Sequence, residues 1–312
     1  MENLIFSINV VLPMFLIMCL GVFLRKINIF DEKFLKTANA FTFKVLLPTL
    51  LFYNIYSSNL SDSFNWKLVT FAVITVLITI ALLFIIVPLI EKDNKNKGVI
   101  IQGLYRSNFV LFGIPLCTNI FGDESTGVTS MLIAVIVPLY NFFAVIILDV
   151  YSKDKLDIKN TFLSILKNPL IVGSVAGILL SLLNVKIPDS LEQTIYDISK
   201  IATPLALILL GGEFEIGNLY KNIKHVLIVC IGKLILIPTI VFAIAIAVGF
   251  RGIELGSLLA MVAAPVAVSS FIMAQHYNAN DELAGQIVFV STTFSSITIF
   301  MFIYIFKTIG LF

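Results

Sequence analysis

The chain has 312 residues, of which 59% are hydrophobic and 13% charged, with a formal net charge of +2 and a mean hydropathy of +1.02. Water-soluble globular domains are about 45–50% apolar, so this composition excludes one and indicates a chain whose solvent is the lipid bilayer. The charges are scattered and form no basic stripe, which excludes nucleic acid as a partner. The cysteines and histidines lack metal-ligand spacing, and we expect neither a metal nor another cofactor.

Ten apolar segments follow one another along the chain, each near the length of about 20 residues that crosses a bilayer. Their predicted bounds are 4–24, 34–57, 68–90, 98–121, 127–150, 168–185, 194–212, 226–249, 254–276 and 284–308. The first has no basic segment before it and no cleavage pattern after it, so we interpret it as a retained span rather than a signal peptide. The sequence therefore predicts an all-α membrane protein with ten transmembrane helices.

The two halves of the chain repeat each other. Pairs that share one constant offset are Pro13 with Pro169, Gly21 with Gly177, Lys44 with Lys200, and Pro48 with Pro204. Because each copy holds five predicted spans, an odd number, the second copy enters the membrane from the opposite side, as in the inverted repeats of many secondary transporters. We predict a first five-helix repeat at 1–150, a short cytoplasmic link at 151–167 and a second, inverted repeat at 168–312.

The positions of lysine and arginine predict the orientation. Basic residues are concentrated in the loops after spans 1, 3, 5 and 7, among them Arg25, Lys26, Lys95 and Lys153. Loops rich in lysine and arginine stay in the cytoplasm. We therefore expect a multi-pass protein of the cell (plasma or inner) membrane, with both termini on the extracellular or periplasmic side.

Two matched prolines predict interrupted helices. Gly113-Ile114-Pro115 in span 4 and Ala264-Pro265 in span 9 occupy corresponding places in the two repeats. A proline within a helix removes a hydrogen bond, and non-helical backbone at membrane depth must be buried or line a cavity. We predict that both helices break at these residues and cross near the bilayer centre, where helix ends hold a polar substrate. An ordinary proline kink is the alternative for either helix alone.

Polar residues near these prolines are the predicted substrate contacts. Asn108 lies about two turns before Pro115 and therefore on nearly the same helix face, Asn141 lies in span 5, and Ser269 follows Pro265. Their amide and hydroxyl groups can bond a polar substrate. Serine is also common at helix contacts in membranes, where it packs closely and bonds backbone groups.

Ionisable residues within spans are costly, at about 2.5–3.5 kcal/mol on insertion scales, and indicate function. The basic ones are Lys44, Arg106, Lys200 and Lys233, and the acidic ones are Asp149, Asp197 and Glu213. The excess of positive charge favours an anionic substrate. We predict substrate contact for Lys200 and ion or proton coupling for Asp197 or Glu213. Snorkelling to the interface is the alternative for Lys200 and Arg106, as is a salt bridge between Lys200 and Asp197.

Several motifs resemble those of the auxin efflux carrier family, whose bacterial members include malate- and malonate-permease-like proteins. The motifs are SNFVLFGIPL at 107–116, TPLALILLG at 203–211, Lys233-Leu234 with Pro238, AAPVA at 263–267, and DELA at 281–284. The resemblance covers essentially the full chain. The chain lacks the long hydrophilic insert that plant members carry between spans 5 and 6, which argues against auxin as the substrate.

The resemblance implies a five-plus-five inverted-repeat fold related to bile acid and arsenite carriers. In that fold helices 1, 2, 6 and 7 form a scaffold, while helices 3–5 and 8–10 form a moving domain in which helices 4 and 9 are broken and cross. It also implies elevator-like alternating access and a homodimer. It places the substrate near Asn108, Ile114, Pro115, Asn141 and Pro265.

These features predict a secondary transporter that moves a small organic anion, a carboxylate, across the membrane. We do not expect an enzyme, since zinc, nucleophile-elbow and nucleotide-binding motifs are missing from the sequence. Two alternatives remain. One is a sodium-coupled symporter of bile-acid or amino-acid type, and the other is a membrane sensor or receptor, for which the short loops offer no signalling domain.

Overall fold

The computed structural model describes residues 2–57, 65–122, 124–152, 167–183, 185–213 and 216–312, so most of the predicted link at 151–167 lies outside the described residues. Within these ranges all regular structure is helical apart from one isolated bridge. The all-helical class predicted from the sequence is confirmed.

Fourteen α-helices and two π-helical turns make up the described chain. The helices are α1 Glu2–Lys26, α2 Glu32–Phe41, α3 Leu47–Tyr56, α4 Trp66–Ile90, α5 Asn94–Tyr105, α6 Phe109–Phe121, α7 Ser125–Ser152, α8 Pro169–Leu182, α9 Asp189–Glu213, α10 Ile216–Ile231, α11 Ile237–Val248, α12 Gly252–Ala263, α13 Ser269–His276 and α14 Asp281–Thr308. The first π-helical turn is Thr42–Leu46, between α2 and α3, and the second is Gly232–Leu236, between α10 and α11.

Five helical segments of the described chain are long and apolar enough to cross a membrane. They are Trp66–Ile90, Ser125–Tyr151, Asp189–Glu213, Lys221–Val248 and Asp281–Thr308. Three shorter apolar helices accompany them, α6, α8 and α12. Large apolar side chains along α4, such as Ile78, Ile85 and Leu89, are exposed, as expected of a helix that faces lipid. The chain is therefore built as a membrane protein.

Each π-helical turn directly precedes a proline. The first is followed by Leu47-Pro48 and the second by Ile237-Pro238. Proline has no backbone N–H to donate to the carbonyl oxygen four residues earlier. Where that hydrogen bond is missing, the helix turn accommodates one extra residue and becomes π-helical. The turns carry Lys44 and Lys233, and the second turn is buried at Lys233.

Two predicted spans are divided by short non-helical segments. The first interruption, residues 106–108, separates α5 from α6, and the second interruption, residues 264–268, separates α12 from α13. The two interruptions pair with each other through an antiparallel bridge between Ser107 and Val266. The amide of Asn108 also donates to the carbonyl oxygen of Pro265 at 2.8 Å. This pairing satisfies backbone groups that would otherwise be buried without a partner.

The predicted position of the first break is wrong. Gly113 and Pro115 lie inside α6, and the chain leaves the helix at residues 106–108 instead. A single proline removes one hydrogen bond without ending a helix, whereas residues 106–108 have the second interruption as a backbone partner. Gly113 serves packing, because a β-carbon there would lie 2.9 Å from the Ile133 side chain of α7. Ala264 and Pro265 lie within the second interruption.

Glycines allow two pairs of helices to touch backbone to backbone. A β-carbon at Gly21 of α1 would overlap the carbonyl oxygen of Ile208 in α9, and Gly211 of α9 is as close to α1. A β-carbon at Gly177 of α8 would lie 2.8 Å from the carbonyl oxygen of Phe52 in α3. Since α3 also packs against α9, these four helices form one closely packed group. Small residues at helix contacts are the usual way to achieve such packing in membranes.

Candidate substrate site

A narrow cavity of about 60 Å³ lies beside the paired interruptions. The two interruptions, the start of α13 and helix α7 line one side with Arg106, Ser107, Asn108, Tyr140, Asn141 and Ser269. Helices α3, α8 and α9 contribute Leu47, Leu50, Leu51, Leu170, Thr203 and Ala206 to the rest of the lining. A water molecule needs about 10–15 Å³ of such space, so the cavity has room for only a few waters or a small ligand.

Arg106 is a buried cation at this cavity, with 3% of its surface exposed. Its Nη1 donates to Oε1 of Gln102 at 3.0 Å, and its Nη2 donates to Oγ of Ser269 at 2.8 Å and to Oδ1 of Asn141. All of these acceptors are neutral. No carboxylate of the described residues forms a salt bridge with Arg106. The site therefore holds a positive charge that protein dipoles stabilise and that no carboxylate of the described ranges neutralises.

The two asparagines have different roles. Asn141 is bonded at both ends of its amide, since its Oδ1 accepts from Arg106 and its Nδ2 donates to the carbonyl oxygen of Val137 at 2.9 Å. Asn108 is 9% exposed, and its Nδ2 has no hydrogen-bond partner among the described residues. A buried donor without a partner costs about 1–3 kcal/mol. Asn108 therefore offers a free N–H group to a ligand, while Asn141 orients Arg106.

Lys233 lies behind the cavity, outside its lining, and is 1% exposed. Its ammonium group donates to Oγ of Ser107 in the first interruption and, at 3.1 Å, to the carbonyl oxygen of Val262 near the end of α12. A cation is favoured at the C-terminal end of a helix, where carbonyl groups are left without intrahelical donors. Lys233 thus ties α12 and the first interruption to the second π-helical turn.

Three of the predicted substrate residues meet at the cavity. Asn108, Asn141 and Ser269 all line it. Pro265 contributes through its backbone, because its carbonyl oxygen accepts the amide of Asn108. From the sequence, Arg106 was interpreted as a charge within a span, with snorkelling to the interface as the alternative. In the structure Arg106 is buried. The sequence feature that indicates a buried Arg106 is the run of three polar residues, Arg106-Ser107-Asn108, inside an apolar span.

Three other predicted substrate residues lie elsewhere. Ile114 and Pro115 belong to α6 and are outside the cavity lining, and Pro115 is exposed. Lys200 is exposed as well, with its Nζ 3.9 Å from the centroid of the Tyr196 ring. Lys200 is therefore outside the lining of this cavity, whereas Thr203 and Ala206 of the same helix line it, and its contact with substrate stays a prediction.

The two carboxylates considered for coupling differ in their surroundings. Asp197 is exposed and accepts from Nε2 of Gln193 at 3.0 Å. Glu213, at the end of α9, is partly buried, and its Oε1 accepts from Nδ2 of Asn39 at 2.9 Å and from Nε2 of Gln275 at 3.0 Å. Glu213 therefore joins α2 and α9 to the end of α13.

A second, larger cavity lies at Glu213. This vestibule has a volume of about 770 Å³, and its lining includes Arg25, Lys36, Lys95 and Glu213. His276, which also lines it, stacks on Phe43 with ring centroids 4.0 Å apart. Helix α13 runs between the two cavities, since Ser269 lines the narrow one and Gln275 lines the vestibule.

The apolar helices, the paired interruptions and the buried polar cavity define a membrane transporter. The sequence model of a family described as "Membrane transport protein" matches residues 6–160 and 156–303. The chain belongs to this family, that of the auxin efflux carriers, as its motifs indicated.

Three relatives are similar to the chain over nearly its whole length. The uncharacterized transporter MJ1031 of Methanocaldococcus jannaschii is 26% identical over 307 residues, which cover 93% of this chain and 96% of the relative. The uncharacterized transporter YfdV of Escherichia coli is 25% identical over 323 residues, covering 98% and 100%. An uncharacterized transporter of Methanothermobacter thermautotrophicus is 21% identical over 305 residues, covering 94% and 96%.

Proposed function

We propose that this protein is a secondary transporter of small organic anions and that Arg106 binds the substrate carboxylate. The observation that carries the proposal is the buried guanidinium at the cavity, held by neutral groups alone. A guanidinium is the side chain best suited to a carboxylate, because its parallel N–H groups match the two oxygens. A bound anion would supply the charge that the described protein groups do not.

The neighbouring groups support this assignment. The free Nδ2 of Asn108 lies in the same lining as Arg106 and supplies a further donor to a carboxylate oxygen. Asn141 and Ser269 hold the guanidinium in place. A preorganised set of donors binds an anion with little loss of conformational entropy.

We further propose the architecture of two inverted five-helix repeats, 1–150 and 168–312, with helices 4 and 9 of the ten spans broken and crossing. The two interruptions and their mutual pairing support this arrangement. The glycines support it too. Gly21 and Gly177, which the repeat aligns, each make a backbone contact with a helix of the other half.

We also propose an elevator-like mechanism, which the position of the cavity supports. Helices α3, α8 and α9 of the packed group form its apolar wall, and the interruptions with α7 and α13 form its polar wall. We propose that the first group is the scaffold and that the polar wall moves against it with the substrate. The vestibule is lined by Arg25 and Lys95, which belong to the basic loops predicted to be cytoplasmic, so it opens to the cytoplasm in this arrangement.

Glu213 is our candidate for a proton-dependent step, since it links the proposed scaffold to α13 through two hydrogen bonds. Asp197 is exposed and makes no such link among the described residues. In an elevator mechanism Glu213 belongs to the scaffold, which stays fixed. We therefore propose that Glu213 affects the movement of α13 and does not itself carry a proton across the membrane.

Uptake into liposomes tests the transport proposal. The purified protein is reconstituted, and uptake of radiolabelled pyruvate, lactate, malonate and malate is compared with that of empty liposomes. We expect saturable uptake of at least one acid, a loss of at least tenfold in Arg106→Gln, and partial retention in Arg106→Lys. Lys200→Gln is the matched control, because it removes an exposed charge. Absence of uptake for every acid would contradict the proposal and favour the sensor. Uptake that requires sodium in place of potassium would favour the sodium-coupled symporter.

A further inference from the structure

We propose that the substrate carries a single carboxylate and a short apolar tail, and that the site rejects a second carboxylate. This inference rests on the proposed function and narrows its substrate class. It depends on the number of cations in the cavity lining, on the apolar residues that α3, α8 and α9 contribute, and on the cavity volume.

The lining of the cavity contains one cation. Arg106 is its only lysine, arginine or histidine side chain among the described residues. Lys233 lies near the cavity but outside its lining. Its ammonium group already donates to Oγ of Ser107 and to the carbonyl oxygen of Val262. One carboxylate can therefore be neutralised at this site.

The wall contributed by α3, α8 and α9 is apolar. Leu47, Leu51, Leu170 and Ala206 form most of it, and Thr203 carries its one hydroxyl group among the described residues. A second carboxylate on the substrate would be pressed against these side chains without a cation or a set of N–H donors. Burying an unpaired charge is far more costly than burying a methyl group. The same wall favours an aliphatic tail, at about 0.8 kcal/mol for each buried CH₂ group.

The size of the cavity limits the tail. At about 60 Å³, it suits a few heavy atoms, since each water needs about 10–15 Å³ on the same measure. Acids with three or four carbons are thus the matching class. Rings as large as indole would require the walls to separate.

Matched pairs of acids test the inference by changing one group at a time. Propionate and malonate have three carbons each, and butyrate and succinate have four. Within each pair a methyl group is replaced by a carboxylate. Binding is measured by isothermal titration calorimetry on the purified full chain in detergent at pH 7.5, where all carboxyl groups are ionised. Calorimetry avoids the passive diffusion of short acids through lipid.

We expect the monocarboxylate of each pair to bind at least tenfold more tightly than the dicarboxylate. Equal or tighter binding of malonate and succinate would overturn the inference while leaving the proposed function intact. If no acid binds and liposomes take up none, the proposed function itself fails. The two failures are therefore distinguishable.

A substitution on the apolar wall tests the same idea by gain of function. Thr203→Lys places a second cation opposite Arg106, and we expect it to raise the affinity for succinate at least tenfold relative to butyrate. Thr194→Lys is the matched control, since Thr194 is exposed on the same helix. An unchanged preference in a folded Thr203→Lys protein would contradict the assignment of this wall. The wild-type comparison decides the question if that variant does not fold.

Discussion

Nη2 of Arg106 and Oγ of Ser269 lie 2.8 Å apart, although the two residues are 163 positions apart in the sequence. This hydrogen bond joins the first interruption to the beginning of α13. It brings a charge from one half of the chain and a hydroxyl group from the other half to the same cavity. The site is therefore built by both halves together.

Loss of the Ser269 hydroxyl tests the importance of that contact. Hydrogen bonds to charged groups contribute about 1.5–3 kcal/mol, and we expect Ser269→Ala to weaken carboxylate binding by about tenfold, measured by calorimetry. Ser270→Ala is the control, because Ser270 Oγ is buried without a hydrogen-bond partner among the described residues. Equal losses in the two variants would show that the Ser269 contact has no particular role.

Lys233 should matter for stability more than an exposed lysine does. Lys233→Ala leaves the Val262 carbonyl oxygen and the Ser107 hydroxyl without this donor and opens a void in a buried position. An unsatisfied buried group costs about 1–3 kcal/mol, so we expect a clear fall in the thermal unfolding midpoint in detergent. Lys200→Ala should change the midpoint little, because it removes only an exposed cation–π contact. A similar midpoint for both variants would contradict the structural role of Lys233.

The backbone contact at Gly21 predicts intolerance of even a methyl group. In Gly21→Ala the new β-carbon would overlap the carbonyl oxygen of Ile208, and we expect poor yield of monodisperse protein in size-exclusion chromatography. Gly98→Ala is the control. Its β-carbon would meet a flexible side-chain atom of Leu148 at 3.3 Å, and alanine favours a helix over glycine. Normal yield of Gly21→Ala would show that α1 and α9 can separate.

The contact between Glu91 and His225 predicts sensitivity to acid. Oε2 of Glu91 lies 2.6 Å from Nε2 of His225, and Oε1 accepts the amide of Asp93 at 2.7 Å. Burial alone would raise the pKa of Glu91, but the hydrogen bond from Asp93 and the proximity of His225 outweigh burial and hold the pKa below its ordinary value.

A carboxyl group with a lowered pKa stabilises the folded state above its unfolded pKa of about 4.3, and this contribution is lost as the pH falls through the folded value. We expect Glu91→Gln to lower the unfolding midpoint at pH 7 and to have less effect at pH 4. The measurement is thermal unfolding of wild type and variant across this range. A difference that stays constant with pH would contradict the role of the charge.

The sequence allowed prediction of the features that depend on composition and local spacing. Apolar segments of bilayer length predicted the all-helical membrane class. Asn108 and Asn141 were found as amide side chains within apolar segments, and Ser269 because it follows Pro265; the structure places all three at one cavity. The glycine at position 21 was found through the repeat, although its backbone contact with α9 could be seen only in three dimensions.

Features that depend on long-range partners could not be predicted. Proline suggested a break at Pro115, yet the chain leaves the helix where residues 106–108 can pair with the second interruption. Whether Arg106 reaches water or is buried depends on that pairing, and the same applies to Lys233. Lys200 was assigned to the site as a positive charge within a predicted span, but the orientation of α9 exposes it.

Helix α13 connects the narrow cavity with the vestibule. It is eight residues long, or roughly 12 Å at 1.5 Å per residue, and is too short to bend appreciably. Ser269 at one tip holds Arg106, and Gln275 at the other holds Glu213. In the proposed mechanism, displacement of the Ser269 end on substrate binding would tilt α13 as a rigid rod and so change the contact between Gln275 and Glu213 at the vestibule.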